Sequence, residues 1–346
     1  MQSHPPFMKT RRLIPLLLAL ALTAGPVAFA QEKPIEVSPT NRLDREAGDT
    51  GGKLAYLLQE TLLLKTELIV SNFRQEYGDS IRMKRVAFPT LAPERESIPG
   101  YIFTPKDMPA GKKYPGLVIV HGGNHTQLSA SWFELIAEAV RRGYVVMFPE
   151  YRGSSGHGEG IYENNYGVSD FADVRASTAY LAAQPYVDAD RLGIFGHSRG
   201  GMLSMRTLQE EPKRFKAAVD VAGLKDMVAF MSYKTDARRQ QIADDKHYGG
   251  KLPNQNLSAY IEVSPAFYVE KIETPVLVIS TTGDTTVPYQ LHNKRFIEAL
   301  KAYGKVHETA LYDNAPGNHS FIFGDNPDAL DARRRTFEWF AKYLKP

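Results

Sequence analysis

Apolar residues in this chain fall into short unbroken runs separated by longer stretches with helical spacing. Residues 117–120 read Leu-Val-Ile-Val, and similar runs occupy 83–88, 100–104, 144–149, 192–195, 217–222, 276–280 and 309–312. An apolar run without alternation suits a strand covered on both faces, as in a parallel sheet. Between the runs, residues 129–142, 170–183, 200–210, 290–303 and 327–344 carry the helical period. The last of these opens on Asn326-Pro327, a capping residue followed by a proline suited to the first helical position. Strand and helix alternating in this way predict an α/β fold: a doubly wound, mostly parallel, eight-stranded sheet with helices on both faces. The alternation stops at residues 224–263, a mixed insertion holding Met227, Phe230, Met231 and Tyr233. Its position predicts a short lid over the carboxyl edge of the sheet.

Upstream of the first run, residues 53–73 place Leu54, Leu57, Leu58, Leu62, Ile69 and Phe73 at roughly helical spacing. One amphipathic helix packed on the main domain is expected there. The pattern is too short to suggest a coiled coil. Residues 31–51 are a polar lead, so the expected organisation is lead and helix over 31–79 and the main domain over 80–346. Residues 1–30 have another character. Lys9, Arg11 and Arg12 precede an apolar run over 13–24, and Ala28-Phe29-Ala30 follows. This is the pattern of a secretory signal with cleavage after Ala30, which predicts a periplasmic or secreted protein. No cysteine follows the run to take a lipid, so no membrane anchor is expected after cleavage.

Composition narrows the chemistry. The 346 residues are 43% hydrophobic and 23% charged, as in ordinary globular proteins. The absence of cysteine excludes disulfides, thiolate nucleophiles and thiolate-ligated metals. Loss of the first thirty residues removes three of the 42 basic residues and none of the 39 acidic ones, turning +3 into a neutral chain. A neutral chain gives no reason to expect a nucleic-acid partner. His121 and His125 are separated by glycine and asparagine, which spoils a helical metal pair, and no metal or cofactor is expected.

The chemistry gathers around Ile194-Phe195-Gly196-His197-Ser198-Arg199-Gly200-Gly201-Met202. A G-x-S-x-G sequence between a strand and a helix is a nucleophile elbow, a turn too sharp for side chains two residues to either side of the serine. A serine hydroxyl needs a base and an orienting acid, which follow it in the order serine, acid, histidine in such folds. Four histidines follow Ser198. His247 lies in the insertion, His292 in a helical stretch where a solvated face is expected, and His307 at the start of the last strand. His319 lies in the loop after that strand, where the base belongs. Asp284, in the turn-rich loop after the run 276–280, is the expected acid, with Asp313 as its rival. The backbone N–H of Arg199 and that of Gly123 or Gly122, in Val120-His121-Gly122-Gly123-Asn124, are the expected oxyanion donors. Tyr151, Phe230 and Tyr233 are candidates for a substrate pocket.

These segments together resemble the catalytic domain of the prolyl oligopeptidase family of α/β-hydrolases. The resemblance rests on Gly196-His197-Ser198-Arg199-Gly200-Gly201, Tyr151-Arg152-Gly153-Ser154, Gly156-His157-Gly158, Asp170-Phe171-Ala172-Asp173, Ser264-Pro265-Ala266, Gly283-Asp284 with Val287-Pro288, and Asn318-His319-Ser320-Phe321. It implies a serine hydrolase with Ser198 as nucleophile, Asp284 as orienting acid and His319 as base. Three features depart from the family's usual pattern. Too little chain precedes the domain for the β-propeller of its peptidases, so none is expected. His121 stands where some members place an oxyanion tyrosine. Glu150 stands where asparagine is more usual. A small exported hydrolase of esters or short acyl-amides is the expected function, with a peptide-specific exo- or oligopeptidase as the alternative. A non-catalytic binding protein on the same scaffold is a remote third.

Overall fold

A computed structural model describes residues 50–91, 97–162 and 166–346. The chain divides into two compact units, residues 1–53 and 54–346, and the second holds every element discussed below apart from the first few residues of its leading helix. The expected signal and polar lead lie outside the described residues.

Eight strands form one sheet: β1 (Ile81–Pro89), β2 (Ser97–Pro105), β3 (Tyr114–Val120), β4 (Val145–Pro149), β5 (Val187–His197), β6 (Ala217–Val221), β7 (Val276–Thr281) and β8 (His307–Tyr312). Their order across the sheet is β1-β2-β4-β3-β5-β6-β7-β8. β1 pairs antiparallel with β2, and β2 with β4, while every other neighbour is parallel. All eight apolar runs read from the sequence fall on these strands. Burial explains why they were legible: β3, β4, β6 and β7 are buried at every position. The edge strands β1 and β8 instead mix buried and exposed positions.

Helices α1 (Thr50–Tyr77), α2 (Phe133–Arg141) and α9 (Pro327–Leu344) cover one face of the sheet. Helices α3 (Ser169–Ala182), α4 (Arg199–Glu210) and α8 (Asn293–Ala302) cover the other. Asn326 caps α9, its side-chain oxygen accepting from the N–H groups of Asp328 and Ala329 at 3.1 Å each. The insertion contains α5 (Met227–Ser232), α6 (Asp236–Ala243) and α7 (Leu257–Glu262). Met227, Phe230, Met231, Ile242 and Tyr260 pack from it into the second face's core.

Helix α1 departs from the sequence reading. Its carboxyl-terminal part is seated as expected: Phe73 is fully buried, edge-on to Phe103 at 4.9 Å and to Phe133 at 5.0 Å. Leu54, Leu57 and Leu58, expected on the packed face, are 69%, 58% and 48% exposed. The face turned to the domain is set instead by Thr66, Val70, Phe73 and Tyr77.

Candidate active site

Ser198 stands alone between the end of β5 and the start of α4, with φ 58° and ψ −119°. A left-handed φ is costly for a residue with a side chain and persists only where the surroundings enforce it. The surroundings are the glycines. A Cβ on Gly196 would lie 2.2 Å from the Gly200 carbonyl oxygen, and one on Gly200 would lie 2.1 Å from that of Val120. The Gly201 position faces Asp220 Oδ1 at 2.3 Å in the same way. Strand, turn and helix thus close on one another only with bare backbone at these places. The serine N–H donates to Val221 O at 3.0 Å, tying the elbow to β6.

The loop after β8 brings His319 over the elbow. Its Nε2 is 2.8 Å from Ser198 Oγ and its Nδ1 is 2.7 Å from Asp284 Oδ2. A carboxylate only accepts, so Nδ1 carries the proton and Nε2 offers its lone pair to the serine hydroxyl. Asp284, nearly buried, is held by its other oxygen, which accepts from the N–H of Thr286 at 2.9 Å and of Val287 at 2.8 Å. Asp313 is turned elsewhere, accepting from Thr282 Oγ1 at 2.8 Å. His247 lies within the insertion, against the Ala259 carbonyl oxygen at 2.9 Å, and His307 bonds back to that of Lys305 at 2.8 Å. His292 corrects the sequence reading: it is fully buried rather than solvated, 2.7 Å from the Tyr233 hydroxyl. Burial pushes its pKa down to about 3.

One residue missed in the sequence supports the base. His197 sits in the elbow and is buried, and its Nε2–H donates to the His319 carbonyl oxygen at 2.8 Å. Burial, aided by the neighbouring His319, lowers its pKa to about 3, so it stays neutral with its proton on Nε2. Nothing in the linear motif marks this histidine, because its partner lies 122 residues away.

Gly122 and Gly123 leave the end of β3 and line the same cleft as Ser198 and Arg199. Gly122 touches the nucleophile: an added Cβ would lie 2.8 Å from Ser198 Cβ. Gly123 has φ +78°, a conformation suited to glycine. Arg199 opens α4, and the first N–H groups of a helix have no acceptor within it. The loop carrying the two glycines is braced from beneath. Thr126 Oγ1 donates to Gly122 O at 2.6 Å, and Tyr151 OH to His121 O at 2.8 Å. Glu150, fully buried, accepts from the N–H of Leu128 at 2.8 Å, and its other oxygen lies 3.6 Å from His121 Nε2 and 3.8 Å from His157 Nε2. The unusual glutamate is therefore part of the support under this loop.

The cleft has a volume of 320 Å³. Trp132, Tyr166, Leu224, Phe230, Val287 and Phe323 give it an apolar lining. Of the three expected substrate-pocket residues, Phe230 lines it. Tyr151 is completely buried behind the glycine loop, its ring stacked on His121 at 4.3 Å. Tyr233 contacts His292 and the Thr286 carbonyl oxygen, bracing the loop of Asp284 from the insertion. Tyr166 and the Arg199 guanidinium were not foreseen: Arg199 is buried, 4.4 Å above the Tyr166 ring, and bonded to Asp170 and Asn124. Burial raises the Asp170 pKa to about 6 against the pull of that guanidinium. Among the described residues no group of three or more His, Asp or Glu side chains is arranged to hold a metal ion.

A serine, histidine and aspartate in line beside a pair of glycines is an arrangement suited to acyl transfer. The prolyl oligopeptidase family profile matches residues 130–346. The chain belongs to the prolyl oligopeptidase family. It is 24% identical over 344 residues to an acylamino-acid-releasing enzyme of Arabidopsis thaliana, covering 94% of this chain and 44% of the relative. It is 28% identical over 255 residues to an uncharacterized peptidase, YuxL, of Bacillus subtilis, covering 71% of this chain and 37% of the relative. It therefore spans less than half the length of these relatives. Among solved structures, the acylaminoacyl peptidase of Pyrococcus horikoshii superposes with a TM-score of 0.65 at 24% identity, over 77% of this chain and 42% of the other. The sheet and these likenesses make the fold that of the α/β-hydrolases, and family membership makes the protein a serine-type enzyme.

Proposed function

We propose that this prolyl oligopeptidase family member is an exported hydrolase of short acyl substrates, namely small esters and short or N-acylated peptides, working through an acyl-enzyme on Ser198. The unbroken line Asp284–His319–Ser198, with contacts of 2.7 and 2.8 Å, carries this reading. Ser198 Oγ attacks the substrate carbonyl carbon as its proton passes to His319 Nε2, and Asp284 stabilises the imidazolium through Nδ1–H. The carbonyl oxygen becomes an oxyanion facing the N–H groups of Arg199 and Gly123, with Gly122 as the alternative donor. Collapse expels the amine or alcohol, which takes the proton from His319. Water, deprotonated by the same imidazole, then hydrolyses the acyl-enzyme. The 320 Å³ cleft with its apolar lining suits a small acyl group.

A strictly peptide-directed activity is the second reading, and the name of the Arabidopsis relative, an acylamino-acid-releasing enzyme, favours it. The two part in kcat/KM. Short aryl esters should be cleaved at least as efficiently as unblocked, N-acylated and proline-containing peptides, with Ser198→Ala as the blank. A peptide turned over more efficiently than every ester would move the assignment to a peptidase proper.

Export rests on Lys9, Arg11 and Arg12, the apolar residues 13–24 and the Ala28-Phe29-Ala30 site. N-terminal sequencing of the exported protein should begin at Gln31. A chain still starting at Met1 or Met8 would contradict it.

A further inference from the structure

Helix α1 carries a row of leucines left exposed among the described residues. Leu54, Leu57, Leu58, Leu64 and Leu68 are between 48% and 69% exposed, along a helix whose opposite face is anchored by Val70, Phe73 and Tyr77. We propose that this row is an interface at which two copies of the chain pair their α1 helices in parallel. The spacing is that of a heptad: Leu54, Thr61 and Leu68 take one core position, Leu57 and Leu64 the other, and Leu58 flanks the seam. Two heptads are too few to hold an isolated helix. Here the helix is already folded by its carboxyl-terminal anchor, so pairing has only to cover the leucines.

Three observations favour a second copy of this chain as the occupant. The first is size. The five leucines expose roughly 500 Å² per copy, so two rows reach the ~1,000 Å² at which a specific interface becomes credible. The second is charge. Flanking the seam, Glu60 and Lys65 are both exposed and stand five residues apart, the separation that sets a glutamate of one helix against a lysine of the other in a parallel pair. An antiparallel pair would bring the Glu60 side chains of the two copies together instead. The third is the supply of apolar residues upstream. In the exported chain of the proposed function, on which this argument rests, residues 31–49 offer only Ile35, Val37 and Leu43 as large aliphatic side chains, too few to cover five leucines. The residues of the helix that meet the domain, Thr66, Val70, Phe73 and Tyr77, lie on the face away from the row.

Light scattering on the exported protein, at micromolar concentration, should give twice the chain mass. Leu57→Glu with Leu64→Glu should give the mass of one chain, with the circular dichroism and the per-chain hydrolysis rate unchanged. The protein has no cysteine, so Leu57→Cys offers one thiol per copy and should cross-link to itself under mild oxidation. A single-chain mass for the unaltered protein would overturn the proposal. So would a double mass that survives both glutamates. A dimer of the Leu57→Cys variant whose two thiols fail to join would overturn the parallel arrangement.

Discussion

At the scale of the residue, Ser198 is held in a conformation that glycine would tolerate more easily, and its neighbours explain why it stays there. Gly196 and Gly200 were legible in the sequence because sterics at a sharp turn permit nothing larger. Asp284 was legible because it follows a strand in a loop, but the choice against Asp313 needed coordinates. Both aspartates follow strands, and only Asp284 reaches Nδ1 of His319. Replacing Asp284 by Asn keeps the shape but removes the charge and favours the wrong tautomer. In serine proteases that change lowers kcat by about 10⁴. Asp284→Asn should therefore cut turnover by several orders of magnitude, while Asp313→Asn should cost less than tenfold, because Asp313 accepts from Thr282 at an exposed site and an asparagine oxygen can accept the same bond. Comparable losses in both would place the acid elsewhere. His197 and the Arg199 side chain could not be read in advance, because their partners, His319 and Asp170, are distant in the chain.

At the scale of the element, strands buried on both faces were read with little error, because a continuous apolar run has few other uses. Helix faces were read less well. The period of α1 was visible, but its leucines point to solvent while smaller and aromatic side chains face the domain. Periodicity fixes which residues share a stripe and is silent on which stripe is buried when two compete. His292 failed for a related reason: a polar residue within a helical stretch was assigned to a solvated face, whereas it stands at the start of α8 and the insertion folds Tyr233 over it. Tyr233 thereby joins the insertion to the loop holding Asp284, so it braces that loop instead of lining the cleft. Glu150 shows the reverse case. Its departure from asparagine was visible in the sequence, and the structure places it beneath the glycine loop, accepting from the Leu128 N–H.

At the scale of the molecule, buried histidines tie stability to pH. His197 and His292 are both lowered from 6.5 to about 3 by burial, and His121 is lowered for the same reason. Unfolding lets each take up a proton below its ordinary pKa. Their contribution to stability is therefore complete above about pH 6.5 and is lost progressively as the pH falls toward 3. Asp170, raised to about 6, opposes this between about pH 6 and 4, because the folded state holds its proton more firmly there. His125 is lowered by burial as well, and Asp220 is raised by it; four histidines outweigh two carboxyls, so the denaturant midpoint should fall between pH 7 and pH 4. His292→Phe, which also forfeits the hydrogen bond with Tyr233, should flatten that fall. A midpoint that rises on acidification would contradict the burial of these rings. The central claim also belongs to the whole fold, since β5, β7 and β8 each deliver one member of the line Ser198, Asp284 and His319. Fluorophosphonate labelling of the protein, followed by mass mapping of the adduct, tests it most directly. The account predicts a single adduct on Ser198, absent from Ser198→Ala and strongly slowed in His319→Ala. An adduct on another residue, or labelling that persists in Ser198→Ala, would contradict it.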